Sequence, residues 1–317
     1  MLKTAVILAN DDPAHHSRLL TDRAKAMFPA VGKPLIVRVM EQIYRAGIRH
    51  FMLTVGVNEG EVAQHLHKRW KPDARIEMMI TTPGDDLFTR LRNVAARLQS
   101  SFLLTTYHNF THEGHAATLL RMADQEKPPL ILSVARRVLG AGTAVTGPLA
   151  QALAVRQPQV SPAYLMPYAA VGDAFVQYLR SARPDARAAY RHTFADIASH
   201  YLAEHDPHAA SFCEASWMMT LSSDQDLLLL NKRLLAEGQD THILSELPLS
   251  VKIIPPVRID PQVIIGENAV IGPHVYVERG ARIGFNATVR NAVVLSRAVV
   301  SANERLEDTI ISTRGRL

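Results

Sequence analysis

The chain has 317 residues, of which 47% are apolar and 21% charged, enough for two domains and a large buried core. Its net charge of +5 is modest and no block of five or six basic residues occurs, so nucleic acid is not an expected partner. No apolar run approaches the ~18 residues of a membrane span, and the single cysteine, Cys213, excludes an internal disulfide; both fit a cytoplasmic protein.

Residues 3–9 (KTAVILA) are a continuous apolar run, the pattern of a buried parallel strand. A polar loop follows, then a helical stripe over 34–47 that Gly47 ends. HFMLTVG at 50–56 reads as a strand and 58–70 as a helix with Asn58 at its N-cap. The same alternation continues with strands at 74–82, 101–107 and 129–137 and helices at 87–98 and 112–125. Strands alternating with helices imply βαβ crossovers and a mostly parallel sheet. Ligands in such sheets bind beyond the carboxyl ends of the strands, so the loops after residues 9, 56, 82 and 107 are where chemistry is expected. The segment 138–195 carries no clear pattern beyond a basic surface excursion at 182–194.

Near the C-terminus a different period takes over. Ile253, Ile259, Ile265, Ile271, Val277, Ile283, Val289 and Leu295 lie six apart. A second set follows four behind: Val257, Val263, Ala269, Val275, Ala281, Ala287, Val293 and Val299. Neither helix nor ordinary strand has this period, but a β-helix does, each six-residue unit making one side of a prism. Gly266, Gly272 and Gly284 follow the inward position, where the chain turns a corner. The register slips by one near Leu295 and resumes at Val300 and Leu306. The pattern resembles the left-handed β-helix of hexapeptide-repeat proteins. Among these, carbonic anhydrases need three histidines and acyltransferases a catalytic one; the repeats contain only His274, expected to be a solvent-facing corner residue.

Upstream, AVILA, then SRL at 17–19 and AKAMFPAVGKPLIVRVMEQIYRAGIRHFMLTVG at 24–56 resemble the sugar-nucleotide nucleotidyltransferase (NDP-sugar pyrophosphorylase) family. FLLTTYHNFTHEGHAATLL at 102–120 is similar to that family's strand ending in Gly-Asp, and 196–238 to its closing WxD segment. The resemblance implies an α/β fold: a Rossmann-like nucleotidyltransferase domain with a mostly parallel sheet at 1–245, then a short left-handed β-helix at 246–317.

Nucleotidyl transfer brings two polyanions together, so catalysis is mostly charge neutralisation and positioning. The resemblance implies a glycine-rich phosphate loop, cations that hold the triphosphate, and two aspartates that hold magnesium. Arg18 matches the loop arginine and Lys25 the lysine after it, both as phosphate ligands, at a spacing of seven. The glycines are gone: the loop runs from Asn10 through Asp11, Asp12, Pro13, Ala14, His15 and His16 to Ser17. Pro13 lacks an N–H, and Asp11 and Asp12 repel phosphate without standing where the family's metal ligands stand. Tyr107 and His108 occupy the Gly-Asp position and Thr220, or its neighbour Met219, the WxD aspartate. TPGDDLF at 82–88 departs from the segment that makes room for base and sugar.

The expected function is therefore a nucleotidyltransferase-like protein without the usual magnesium chemistry, a sugar-nucleotide-binding regulator or scaffold. The alternatives are an active pyrophosphorylase, for which alone magnesium is an expected cofactor, and a structural oligomerisation module. Expected partners are a nucleotide or NDP-sugar, an active nucleotidyltransferase or another protein, and further copies of the chain. His15, His16, His108 and His112 form an alternative transition-metal set, since their loops emerge at one end of the sheet; ordinary loop histidines are the plainer reading in a chain with 14.

Overall fold

The computed structural model describes residues 2–10, 17, 19, 23–56, 59–82, 84–140, 142–160, 163–181, 193–206 and 209–317. These fall into two compact units, one of residues 1–11 and 39–220, the other of 12–38 and 221–317.

The first unit is built on a sheet with seven principal strands: β1 (Thr4–Leu8), β2 (His50–Val55), β3 (Arg75–Ile80), β4 (Phe102–Thr106), β5 (Leu130–Ala135), β6 (Tyr164–Val171) and β7 (Ala210–Ala215). They lie in the order β7-β5-β6-β4-β1-β2-β3. β1, β2, β3 and β4 are parallel, as are β5 and β7; β6 runs antiparallel between β4 and β5. The two-residue strand Thr143–Ala144 pairs antiparallel with β6.

Helices α1 (Leu35–Arg45), α2 (Gly60–Arg69), α3 (Leu87–Leu98) and α4 (His115–Glu126) follow the expected alternation. Asn58 lies outside the described residues; the N-cap of α2 is Glu59. α4 starts three residues later than the pattern suggests, because Asn109–Thr111 form a strand and Gly114, at φ +90°, turns the chain into the helix.

The uninformative segment holds α5 (Gly147–Arg156), β6, α6 (Asp173–Ser181) and the start of α7 (Phe194–Glu204). β6 was hidden by Pro167, which speaks against a central strand. The ladder tolerates it because the register shifts between Met166 and Ala169. The basic stretch 182–192 lies outside the described residues. One sheet face packs Leu130, Leu132 and Val134 against α3, α5, α6 and α7 in the main core. The alternate residues Ile131 and Ser133 point to the face where α4 lies.

The second unit contains the β-helix, α8 (Asp224–Ala236) and the segment around the hairpin of Pro29–Ala30 with Lys33–Pro34. Three ladders of short parallel strands make the prism faces. One joins Lys252–Ile253, Val270–Ile271, Thr288–Arg290 and Arg305–Glu307. The second joins Val257–Ile259, Val275–Val277, Val293–Val294 and Ile310–Ser312. The third joins Ile264–Ile265, Arg282–Ile283 and Val299–Val300. The arrangement is consistent with a left-handed β-helix and continues past the register slip near Leu295, through Val300 and Leu306 to Ile311.

Ile259, Ile265, Ile271, Val277, Ile283 and Val289 fill the prism, with Ile253 partly buried at its first coil. The register then shortens by one, as the sequence suggests, but already between Val289 and Val294. Val294 therefore takes the inward place expected of Leu295, and Ala292 and Ala298 replace Val293 and Val299. Val293 and Leu295 are buried outside the prism core, on the side of the strand ladder against which α8 packs. Val299 is 62% exposed. His274 sits at a corner in left-handed backbone, at φ +54°, and is half-buried. No helix among the described residues is long and apolar enough to cross a membrane.

Candidate functional site

The carboxyl ends of β1 to β4 form a rim of uncharged polar groups. Asn10 follows β1; its Nδ2 donates to the Thr81 hydroxyl beyond β3, and its Oδ1 accepts from the Thr54 hydroxyl on β2. Leu8 stands in register with both Thr54 and Thr106, so the two threonines flank it on one sheet face. The hydroxyls of Thr105 and Thr106 are buried with no hydrogen-bond partner among the described residues. Glu59 is buried near the rim, but its carboxylate accepts the Gly56 N–H. In the 82–88 segment Asp85 accepts from the Thr82 N–H at 3.1 Å, and Asp86 caps α3 through the Thr89 N–H at 2.7 Å. Both aspartates are thus engaged in turn and cap.

Beyond β4 the chain turns at Tyr107 and His108 and enters the strand Asn109–Thr111, which pairs antiparallel with Met218–Thr220. Thr220 stands opposite Asn109 and donates to its Oδ1 at 2.9 Å, while Asn109 Nδ2 donates to the Pro167 carbonyl at the β6 irregularity, 3.1 Å away. Thr220 is therefore brought opposite Asn109, the residue that follows His108 in the chain. Tyr107 is buried edge-on to the half-buried His108 ring, with centroids 4.8 Å apart.

A buried polar group lies behind this rung. His115, the first residue of α4, is 1% exposed, and its Nε2 is 2.8 Å from Ser133 Oγ on β5. Its Nδ1 is 4.0 Å from Cys213 Sγ on β7, and the Tyr168 and His112 rings meet it edge-on, each at 5.5 Å. Burial lowers the His115 pKa to about 4, helped by His112, so the ring is neutral near pH 7. Burial likewise pushes the Cys213 thiol up to about 11, so it is a protonated core group rather than a nucleophile. The Tyr168 hydroxyl is buried without a hydrogen-bond partner among the described residues. Ser133, Cys213 and Tyr168 come from three strands, and no local pattern marks them.

Of the other sequence candidates, Arg18, His15, His16, Asp11 and Asp12 lie outside the described residues. Lys25 opens a single 3-10 turn, Lys25–Met27, in the second unit and is half-buried. His112 precedes α4, its Nδ1 3.3 Å from Thr111 Oγ1. Among the described residues no three His, Cys, Asp or Glu side chains gather as metal ligands would. A cavity of about 380 Å³ opens at the other end of the sheet, lined by Leu2, Ser101, Lys127, Gly172 and Asp173 among others. Its polar groups mostly satisfy one another: Ser101 N–H donates to Asp173 at 2.9 Å and Gly172 N–H to the Pro129 carbonyl at 2.8 Å.

Residues 253–317 match the GMPPB C-terminal domain. A bifunctional protein GlmU of Symbiobacterium thermophilum is 31% identical over 78 residues, which are 25% of this chain and 16% of that relative. A crystal structure from Bacillus anthracis, described as a glucose-1-phosphate thymidylyltransferase in complex with a sucrose, superimposes with a TM-score of 0.60 at 13% identity, over 77% of this chain and 98% of its own. The last likeness establishes the fold. The other two matches are each confined to a segment of this chain.

Proposed function

We propose that this chain is a nucleotidyltransferase-like protein that binds a nucleotide or NDP-sugar without magnesium-dependent turnover, and acts as a cytoplasmic regulator or scaffold. A nucleotidyltransferase-like domain (1–245) would carry the ligand and a β-helix domain (246–317) the contacts to an active relative, another protein or further copies of the chain. The observation that carries this reading is the turn beyond β4 and the strand pair it leads into. Where the resemblance asks for two aspartates stand His108 and Thr220, and Thr220 is engaged by Asn109. Threonine hydroxyls and an amide can hydrogen-bond a ligand, but they cannot offset the charge of a triphosphate meeting a sugar phosphate. Arg18 and Lys25 supply the positive charge for residual phosphate binding.

The test is a thermal-shift panel of nucleoside triphosphates and NDP-sugars, with and without magnesium. A ligand of the folded state must raise the melting temperature. The expected result is stabilisation by at least one compound to the same extent with and without the metal. No shift with any compound, or one that needs magnesium, would count against the reading.

A further inference from the structure

The segment around Lys25 is held by the prism. Arg23, two residues ahead, donates from Nη1 to Glu278 Oε1 at 2.9 Å and from Nη2 to Ser296 Oγ at 3.3 Å. The other Glu278 oxygen accepts the Ser296 N–H at 2.8 Å, so one carboxylate ties two successive coils to the incoming chain. Arg23 and Glu278 are 22% and 12% exposed, so solvent screens the pair only in part.

Eight residues further on a second clamp closes. Val31 has φ +47°, a costly conformation for a β-branched residue that persists only when its surroundings enforce it. Here its N–H donates to Asn231 Oδ1 of α8 at 2.8 Å, and its carbonyl accepts from Arg38 Nη2 at 2.7 Å. Arg38 also reaches Asp240 Oδ2 at 2.9 Å, and the Asp240 carbonyl accepts from Arg258 of the prism at 3.0 Å. Burial pushes the Asp240 carboxyl up, but Arg38 and Lys33 outweigh it and hold the group below its ordinary range. Gly32, at φ +80°, has a backbone that strains any side chain, and a Cβ there would lie 2.4 Å from the Arg258 guanidinium, which would have to shift.

We infer that Glu278 is a positioning residue for the phosphate-contacting segment: through Arg23 the β-helix sets where Lys25 stands, so prism and ligand are energetically coupled. This rests on the proposed role of Lys25 in phosphate binding. A bare tether would need one anchor. Two clamps on either side of Lys25, one enforcing a strained residue, fix the backbone between them. Coupling of this kind is reciprocal, so a partner that shifts the prism coil at Glu278 would change ligand affinity, and ligand would change partner affinity equally.

The experiment is calorimetric titration of inorganic tripolyphosphate into the wild type, Lys25→Ala, Glu278→Gln and the double variant. Hydrogen exchange of the Met27 and Phe28 amides, which close the Lys25 turn, is followed in parallel. Glu278→Gln keeps Arg23 and can still accept the Ser296 N–H. It is expected to weaken binding by roughly 3- to 30-fold and speed the two amides. Lys25→Ala should then cost less in the double variant than alone. If Lys25→Ala weakens binding while Glu278→Gln binds and exchanges as the wild type does, the positioning role is wrong and the phosphate reading stands. If Lys25→Ala binds as tightly as the wild type, the phosphate reading itself fails. Should Glu278→Gln not fold, Arg23→Gln leaves the prism intact, and unchanged Met27 and Phe28 exchange in it would overturn the inference.

Discussion

Lys25 carries the most specific expectation at the scale of single residues. If it faces a phosphate, Lys25→Ala removes a charge-assisted hydrogen bond and weakens nucleotide or NDP-sugar binding by about 1–3 kcal/mol. Unchanged affinity in a calorimetric titration would make the lysine surface decoration. His115 makes a pH prediction whose sign follows from its pKa. The folded-state value of about 4 lies below the unfolded value near 6.5. The unfolded chain therefore takes up a proton first as pH falls, and the folded state loses stability from about pH 6.5 down to about pH 4. The loss is on the order of 3 kcal/mol, and stability is fully regained above pH 6.5. Denaturant titrations from pH 7 to 4.5 should show this slope in the wild type and a flatter one in His115→Gln; equal slopes would refute the assignment. In the sequence His115 is one histidine of the stretch HNFTHEGH at 108–115, and nothing there marks it as buried. That it is a buried partner of Ser133 and Cys213 depends on three elements meeting, which no periodicity announces.

At the scale of elements, hydrophobic period was the reliable signal. The five leading parallel strands and the prism could be located because buried strands must be apolar on every inward position. The failures have physical causes. β6 carries Pro167 and a register irregularity, so it does not read as a central strand. α4 begins late because Asn109–Thr111 find a partner in Met218–Thr220, more than a hundred residues away. In the β-helix, a strict six-residue count keeps Val299 inside, but one residue fewer in the coil turns it outward and puts Ala298 in its place. This contrast can be tested. Ile271→Asp buries an unpaired charge in the prism and should cost about 3 kcal/mol or more. Val299→Asp, on the exposed side of the third ladder, should change stability by no more than about 0.5 kcal/mol. Chemical denaturation of both variants decides it, and equal losses would mean the register is wrong.

Across the whole molecule, the fold and the proposed function rest on different kinds of information. The fold follows from apolar patterning. The functional reading follows from which few residues stand at one end of β4, and only the family resemblance made Tyr107, His108 and Thr220 worth comparing. The structure adds that Thr220 pairs with Asn109, the residue after His108, which sequence separation concealed. Magnesium-dependent transfer at that spot would have to proceed without paired carboxylates, and losing one preorganised charge stabiliser typically costs ~10²–10³ in rate. The decisive measurement is pyrophosphate release by the 317-residue chain, given common sugar 1-phosphates, the matching nucleoside triphosphates and magnesium. Release no faster than the protein-free background is predicted, and His108→Asp alone should not raise it, since Thr220 would still stand at the second position. Robust magnesium-dependent release by the wild type would contradict the central claim and make the chain an active sugar-nucleotide pyrophosphorylase.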